Sequence, residues 1–175
     1  MINKKVLRYL DDNKVKYQVI AHKTIYTAYD LAQTLKVDLK KIAKTLLVQA
    51  DRAYVIVIVP AHYRLNLKKL KAALKAKKIT IPNEKVMIKV LNVKTGGITP
   101  FGALHKLETI VDKSLLKTNE MIVNAGSFTE SLRLKAKDFI KLEEAKLGNF
   151  VEAGGYKAVK PVVKKKAVRR SKRRR

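Results

Sequence analysis

Helical and strand-like patterns of apolar residues alternate along this chain of 175 residues. Val6, Leu7 and Leu10 recur at helical spacing and predict a first helix, whereas residues 15–20 alternate like a strand with one exposed face. Further helices are predicted where a capping side chain precedes an apolar stripe, and further strands where β-branched residues cluster. Helices or helical turns are predicted to begin after Thr27, Asp38, Asn66 and Asn83, and a last helix is predicted over 137–147. The other predicted strands cover 45–50, 54–59, 78–81, 109–112, 121–124 and 132–134.

Two adjacent runs, residues 45–50 and 54–59, consist mostly of β-branched and aliphatic residues. The polar break over 51–53 predicts that they form an antiparallel pair, and their continuous apolarity predicts burial on both faces. Strands and helices are intermixed, with several short connections from strand to strand. We therefore predict an α+β fold with a single mixed, largely antiparallel sheet and surrounding helices.

One domain is the expectation for a chain of this length with 47% hydrophobic residues. From Gly148 onward the apolar periodicity fades in a strongly basic stretch. That stretch has too little apolar area to offset the entropy of ordering. We predict a folded domain over 1–147 and a tail over 148–175 that is disordered until bound.

Basic residues exceed acidic ones along the whole chain. The 40 Lys and Arg against 14 Asp and Glu give a formal charge of +26. Residues 157–175 contain 11 of the basic residues and none of the acidic ones, so the remainder still carries about +15. A charge of this size favours a polyanionic partner.

Cysteine is absent, which excludes disulfides, thiolate metal sites and a cysteine nucleophile and fits a reducing compartment. The first residues lack the apolar region of a secretory signal, and no apolar run approaches the roughly 20 residues that span a bilayer. We expect a soluble cytoplasmic protein with no membrane partner.

Two short segments carry the candidate chemistry. Lys44 stands beside the first apolar run, where burial of an unpaired ammonium is costly and an anionic partner would offset that cost. Gly96 and Gly97 open a loop whose backbone can approach a ligand closely, and such amide donors suit a phosphate ester or a developing oxyanion. Each segment alone also fits a plainer interpretation: a lysine with its ammonium in solvent, and a turn that Pro100 ends.

Together with their neighbours, these segments resemble the YbaK/ProX family, the free-standing relatives of the editing insertion in bacterial prolyl-tRNA synthetases. The resemblance covers roughly residues 7–142. It rests on the order and spacing of residues 17–22, 27–32, 44–47, the strand ending at Pro60, 65–70, 96–102, 111–116 and 123–126.

Members of that family hydrolyse the ester bond of mischarged aminoacyl-tRNAs, typically Cys or Ala on tRNA for proline, without a metal or another cofactor. The resemblance implies that Lys44 is the essential lysine and that Gly96 and Pro100 belong to the family's GxxxP loop. Lys44 would hold the negatively charged 3′ end of tRNA, and the backbone amides of Gly96 and Gly97 would hold the ester carbonyl. The residues implied to bind substrate are Tyr17, His22, Thr45, Ile98, Thr99, Pro100, Phe101, Asn124, Gly126 and Ser131.

Neither a metal site nor a protein base is apparent in the sequence. His22, His62 and His105 lie on separate segments without the spacing of metal ligands, and no nucleophile–base set can be assembled. The family is proposed to rely on a terminal ribose hydroxyl or another substrate group. The resemblance therefore implies a metal-free, substrate-assisted route.

The chain departs from the family near its late strands. Asn124, Ala125 and Gly126 stand where close relatives tend to have Ser-Gly-Gly, and Ser131 stands where an acid is common, unless Glu130 substitutes for it. These differences bear on the choice of amino acid. Separately, we interpret Asp112 as the cap of the turn at Ser114 rather than as a catalytic acid.

The basic tail predicts binding to nucleic acid through phosphate contacts that weaken as salt rises. Its candidate contact residues are Lys164, Lys165, Lys166, Arg169, Arg170, Lys172, Arg173, Arg174 and Arg175. We expect tRNA as a partner and prolyl-tRNA synthetase as a second one, with no prediction of oligomeric state. Alternatives for the tail are a solubilising, ribosome-adhering or nuclear-import segment. Alternatives for the chain are a non-catalytic RNA-binding module or a fragment that works inside or beside a synthetase.

Overall fold

A computed structural model of the protein describes residues 2–93 and 98–154. The helices within these ranges are α1 (Lys4–Asp12), α2 (Ala28–Leu35), α3 (Leu67–Ala73), α4 (Glu84–Leu91) and α5 (Ala136–Leu142), with 3₁₀ turns at Leu39–Lys41, Gly102–His105 and Lys113–Lys117. The strands are β1 (Tyr17–Ala21), β2 (Ala43–Ala50), β3 (Ala53–Pro60), β4 (Arg64–Leu65), β5 (Ile79–Thr80), β6 (Glu108–Asp112), β7 (Glu120–Asn124), β8 (Glu130–Lys135), β9 (Lys146–Gly148) and β10 (Val151–Glu152). None of the helices in the described ranges is long and apolar enough to cross a membrane.

Side-chain caps start the first four helices. The side chains of Asn3, Thr27, Asn66 and Asn83 each accept a hydrogen bond from a backbone N–H two or three residues later. The Thr27 hydroxyl also donates to the Asp30 carboxylate at 2.7 Å. The helix starts predicted at Thr27, Asn66 and Asn83 are therefore confirmed.

The strands form one mixed sheet and two smaller antiparallel sheets. The mixed sheet has the order β5-β2-β3-β6-β9, with β3, β6 and β9 parallel and with β2 antiparallel to both β3 and β5. The small sheets are β1-β8-β7 and β10-β4, both antiparallel. The α+β fold, the mixed sheet and the predicted antiparallel pairing of β2 with β3 are confirmed, but the strands form three sheets instead of the single one predicted.

β3 lies at the centre of the core. Its residues from Val55 to Val59 are at most 5% exposed, which confirms the predicted burial on both faces. β2 is buried only in part, because its first residues adjoin a cavity instead of a packed element and Lys44 is exposed.

The segment after α5 differs from the prediction. The helix predicted over 137–147 ends at Leu142, and Glu144 then adopts a left-handed backbone with φ 47°. β9 follows and pairs with β6. Sheet pairing has overridden the helical pattern, a tertiary effect that local periodicity cannot reveal.

The predicted domain boundary at residue 147 is also wrong. Phe150 is fully buried, its N–H donates to Asp112 at 2.8 Å, and β10 pairs with β4. One aromatic side chain and a two-residue strand anchor this segment, and so short a stretch carries no periodicity. The folded unit extends at least to Glu152, and the nine candidate contact residues of the tail lie outside the described residues.

Candidate active site

A cavity opens where two parallel strands separate. Ile42, directly before β2, forms an isolated parallel bridge with Ile122 of β7. Beyond the bridge β2 continues with β3 as its partner, whereas β7 pairs with β8. The residues that follow the bridge on the two strands therefore face a gap between the sheets.

The gap encloses about 450 Å³, a volume typical of small-molecule sites. Its polar lining includes four residues predicted from the sequence, Lys44, Thr45, Asn124 and Ser131, and Ile98 is a fifth predicted residue in the wall. The other apolar wall residues are Ile25, Ala28, Leu31, Ile42, Ala43, Ala61 and Phe128. The structure thus brings five predicted site residues together from β2, β7, β8 and the loop after α4.

Lys44 and Thr45 offer two different polar groups to the cavity. Lys44 is exposed and forms no ion pair with any described carboxylate. The Thr45 hydroxyl oxygen is buried and has no hydrogen-bond partner among the described residues. Because buried polar atoms are generally paired, this hydroxyl is available to a ligand.

His22 and Ser131 form a hydrogen-bonded pair at the cavity wall. The Nε2 atom of His22 lies 2.9 Å from the Oγ atom of Ser131, and Nδ1 lies 2.9 Å from the carbonyl oxygen of Lys23. A carbonyl oxygen only accepts, so Nδ1 carries a proton. In the neutral imidazole, Nε2 therefore accepts the Ser131 hydroxyl proton. His22 does not itself line the cavity, but its partner Ser131 does.

Asn124 and Gly126 form a tight turn after β7. The Asn124 Oδ1 atom accepts from the N–H groups of Gly126 at 2.6 Å and Ser127 at 3.2 Å. Gly126 has φ 81°, a conformation that glycine adopts without strain. Gly126 thus shapes the turn, while Asn124 lines the cavity.

Besides His22 and Gly126, four further predicted substrate-binding residues do not line the cavity. Tyr17 packs against the largest core cluster and its hydroxyl donates to Asp11 at 2.9 Å, because it lies on the opposite face of its sheet from Ser131. Phe101 is fully buried and makes edge contacts with Tyr9 and Phe139. Thr99 and Pro100 are also buried. Gly96 and Gly97 lie outside the described residues.

The two candidates for the missing acid occupy different places. The Glu130 carboxylate accepts the backbone N–H of Ile2 at 2.7 Å, and Glu130 is absent from the cavity wall. Ser131, one residue further along β8, lines the wall. Alternation along a strand separates the two side chains, so the cavity presents the hydroxyl of Ser131 and not the carboxylate of Glu130.

Asp112 has a structural role. Its Oδ1 atom accepts from the Ser114 N–H at 2.9 Å, and Oδ2 accepts from Phe150. This confirms the interpretation of Asp112 as a cap. It borders a separate cavity of about 500 Å³, beside Lys69, Lys113 and Lys117, that contains none of the predicted site residues.

Part of the cavity wall was missed from the sequence. Ile25 and Tyr26 precede the α2 cap, and Phe128 lies in the turn between β7 and β8, where the rings of Tyr26 and Phe128 are 5.1 Å apart. Ile25 and Tyr26 could have been found as apolar residues directly before a helix cap. Phe128 lies in a turn and had no such signal in the sequence. The described residues contain no group of three or more side chains suited to bind a metal ion.

Known proteins share both the sequence pattern and the fold. The family model "Aminoacyl-tRNA editing domain" matches residues 22–142. The prolyl-tRNA editing protein ProX of Acetoanaerobium sticklandii is 24% identical over 151 residues, covering 83% of this chain and 92% of that protein. The proline–tRNA ligase of Thermosipho melanesiensis is 26% identical over 113 residues, which cover 65% of this chain and only 20% of the ligase.

Solved structures agree with the assignment of the fold. A candidate trans-editing enzyme for prolyl-tRNA synthetase superimposes with a TM-score of 0.74 at 20% identity, over 86% of this chain and 96% of that one. A hypothetical protein superimposes with a TM-score of 0.79 at 19% identity, over 85% and 99%. Because the family match spans more than half of its length and includes the cavity residues from Lys44 to Ser131, the chain belongs to the family of aminoacyl-tRNA editing domains.

Proposed function

We propose that this protein is a trans-editing deacylase that hydrolyses the ester bond of mischarged aminoacyl-tRNA. The observation that carries the proposal is the meeting of Lys44, Thr45, Asn124 and Ser131 in one cavity of substrate size. The substrate would be tRNA for proline that carries Cys or Ala. The names of the relatives support tRNA for proline, since both concern proline and its tRNA, and the choice of Cys or Ala rests on the family resemblance alone.

Lys44 is the proposed anion anchor. It is exposed, lines the cavity and lacks a described carboxylate partner, so its ammonium can pair with a phosphate at the 3′ end of tRNA. The excess of basic residues in the chain would attract the rest of the tRNA. Attraction of this kind raises the encounter rate and weakens as salt increases.

The proposed carbonyl clamp is the backbone of Gly96 and Gly97. These residues directly precede Ile98, which belongs to the cavity wall. Each well-placed donor to the tetrahedral oxyanion would lower the barrier by about 3 kcal/mol. The terminal ribose hydroxyl would position the attacking water, so the route is substrate-assisted and uses no metal.

The cellular setting follows from the substrate. Charged tRNA is a cytoplasmic substrate, and we place the protein there with tRNA as its main partner. Prolyl-tRNA synthetase, which produces the charged tRNA, is the second proposed partner.

A deacylation assay tests the proposal. The full chain is incubated with tRNA for proline that carries Cys, Ala or Ser, with correctly charged prolyl-tRNA as the matched control. We expect hydrolysis of at least one mischarged species well above the spontaneous rate, and little hydrolysis of prolyl-tRNA. Binding of all four species with no accelerated hydrolysis would instead identify a non-catalytic RNA-binding module.

A further inference from the structure

His22 lies behind the cavity wall, where three hydrogen-bond contacts hold it. Its backbone N–H donates to the Thr129 carbonyl oxygen at 2.8 Å, Nδ1 contacts the Lys23 carbonyl oxygen, and Nε2 contacts Ser131. The imidazole is therefore oriented before any substrate binds. Preorganised groups of this kind need no rearrangement at the moment of reaction.

Ser131 connects this imidazole to the cavity. Ser131 is 2% exposed and lines the cavity wall together with Asn124, its partner in the pairing of β7 with β8. Paired residues of an antiparallel ladder share a face, so both side chains lie on the face that also carries Ile122 and Ile20. With Nδ1 protonated, the Ser131 proton points at a nitrogen lone pair and the remaining oxygen lone pairs are free to accept.

We propose that Ser131 and His22 form a proton relay for the deacylation, an inference that rests on the proposed function. Ser131 is the catalytic residue that contacts the attacking water, and His22 acts through it. The relay supplies the protein base that the sequence did not reveal. The ribose hydroxyl keeps its role of placing the water, and the relay gives the water's proton a destination.

The reaction balances as an ester hydrolysis. The water oxygen forms a bond to the carbonyl carbon while its proton passes to the Oγ atom of Ser131, and the Ser131 proton passes to Nε2 of His22. When the tetrahedral intermediate collapses, the bond between the carbonyl carbon and the ribose oxygen breaks. The proton on His22 returns through Ser131 to that ribose oxygen. The products are the free amino acid and tRNA with a free hydroxyl, and both side chains are restored.

The test uses the full chain and the mischarged tRNA that the wild type hydrolyses fastest. His22→Ala and Ser131→Ala should each lower the single-turnover rate roughly 100-fold, the lower end of the usual range for acid–base catalysis, with little change in the substrate concentration that gives half the maximal rate. The double variant should be no slower than either single variant, because the two groups act as a unit. Ser114→Ala removes a hydroxyl that donates a hydrogen bond to Asp112 away from this cavity and should keep wild-type activity.

Chemical rescue separates a relay from a merely structural role. Added imidazole should restore part of the activity of His22→Ala. It should restore none of the activity of Ser131→Ala and should leave the rate of the wild type unchanged. Thermal unfolding verifies that each variant is folded, and His22→Gln replaces His22→Ala if the latter is not. A wild type that hydrolyses the ester, together with alanine variants within about threefold of its rate, would overturn the relay alone. A wild type without activity would instead overturn the proposed function, and an acyl group trapped on Ser131 would overturn the relay in favour of direct attack by the hydroxyl.

Discussion

At the scale of single residues, neighbours on one strand differ sharply in what they can do. Lys44 is exposed at the cavity, whereas Leu47, three residues later on β2, is fully buried. Removal of Leu47 would damage the core, but removal of the Lys44 side chain would not. Activity and stability can therefore be separated at the start of β2.

Lys44→Ala tests the anion anchor. Hydrogen bonds to charged groups contribute about 1.5–3 kcal/mol, so we expect kcat/KM for deacylation to fall roughly 10- to 100-fold. The free energy of unfolding should change by no more than about 0.5 kcal/mol, since the side chain is exposed. Urea denaturation and single-turnover kinetics measure the two quantities.

Lys41→Ala is the matched control for that variant. Lys41 is an exposed lysine in the neighbouring 3₁₀ turn and does not line the cavity. The Lys41→Ala variant removes the same charge as Lys44→Ala, so a general loss of electrostatic attraction would lower the activity of both variants equally. Equal losses would contradict a specific role for Lys44.

Two other histidines make stability depend on pH. Burial is the main cause that lowers the pKa values of His62 and His105 below the ordinary 6.5. The Nδ1 atom of His62 is also buried without a partner among the described residues, so protonation would bury an unpaired N–H. The unfolded chain therefore binds protons more readily than the folded protein.

The direction in which stability changes with pH is the second prediction. The contribution of His62 and His105 to the free energy of unfolding should be constant above about pH 7 and should decline as the pH falls through 6.5, where the unfolded histidines become protonated, until the lower folded pKa is reached. Urea midpoints at pH 7.5, 6.5 and 5.5 measure the decline. His105→Gln should make it smaller, and an unchanged decline would show that burial of His105 does not contribute.

At the scale of elements, Asp112 joins three segments. It ends β6, caps the 3₁₀ turn at Lys113–Lys117, and accepts the Phe150 N–H beside β10. The carboxylate is 1% exposed and both oxygens accept hydrogen bonds, so an isosteric amide cannot replace it.

Asp112→Asn should lower the free energy of unfolding by about 1–3 kcal/mol, because one buried N–H loses its acceptor. Urea denaturation measures the change. Deacylation at a temperature where the variant is folded should be unaffected, since Asp112 lies outside the Lys44 cavity. A large loss of activity without loss of stability would return Asp112 to the list of catalytic candidates.

The elements that the sequence predicted are those with strong local signals. Asparagine and threonine caps predicted the starts of helices, and the apolar runs predicted β2 and β3. β4, β9 and β10 have two or three residues each and exist because distant partners pair with them, as in Glu152 with Arg64. The same limit applies to the site, where the family resemblance identified Lys44 and Ser131 but only the folded structure reveals that Ser131 meets His22.

At the scale of the whole molecule, charge is divided between a folded body and a basic C-terminal stretch. Residues 157–175 carry 11 basic residues, and the rest of the chain has 29 basic against 14 acidic residues. Both parts should attract tRNA, but only the body contains the cavity. Binding and chemistry can then be separated by truncation, provided that the cut spares Phe150.

Truncation after Gly154 should therefore leave the thermal unfolding midpoint and the hydrolysis of a minimal aminoacyl ester of adenosine close to those of the full chain. The affinity for whole tRNA should fall, and the slope of log Kd against log salt should become shallower by about 0.7–0.9 for each phosphate contact that is lost. Truncation after Leu147 is the contrasting cut, because it also removes Phe150 and β10 and should cost about 3–5 kcal/mol of stability. If the salt slope were the same with and without residues 155–175, the body alone would account for tRNA binding and the basic stretch would have no part in it.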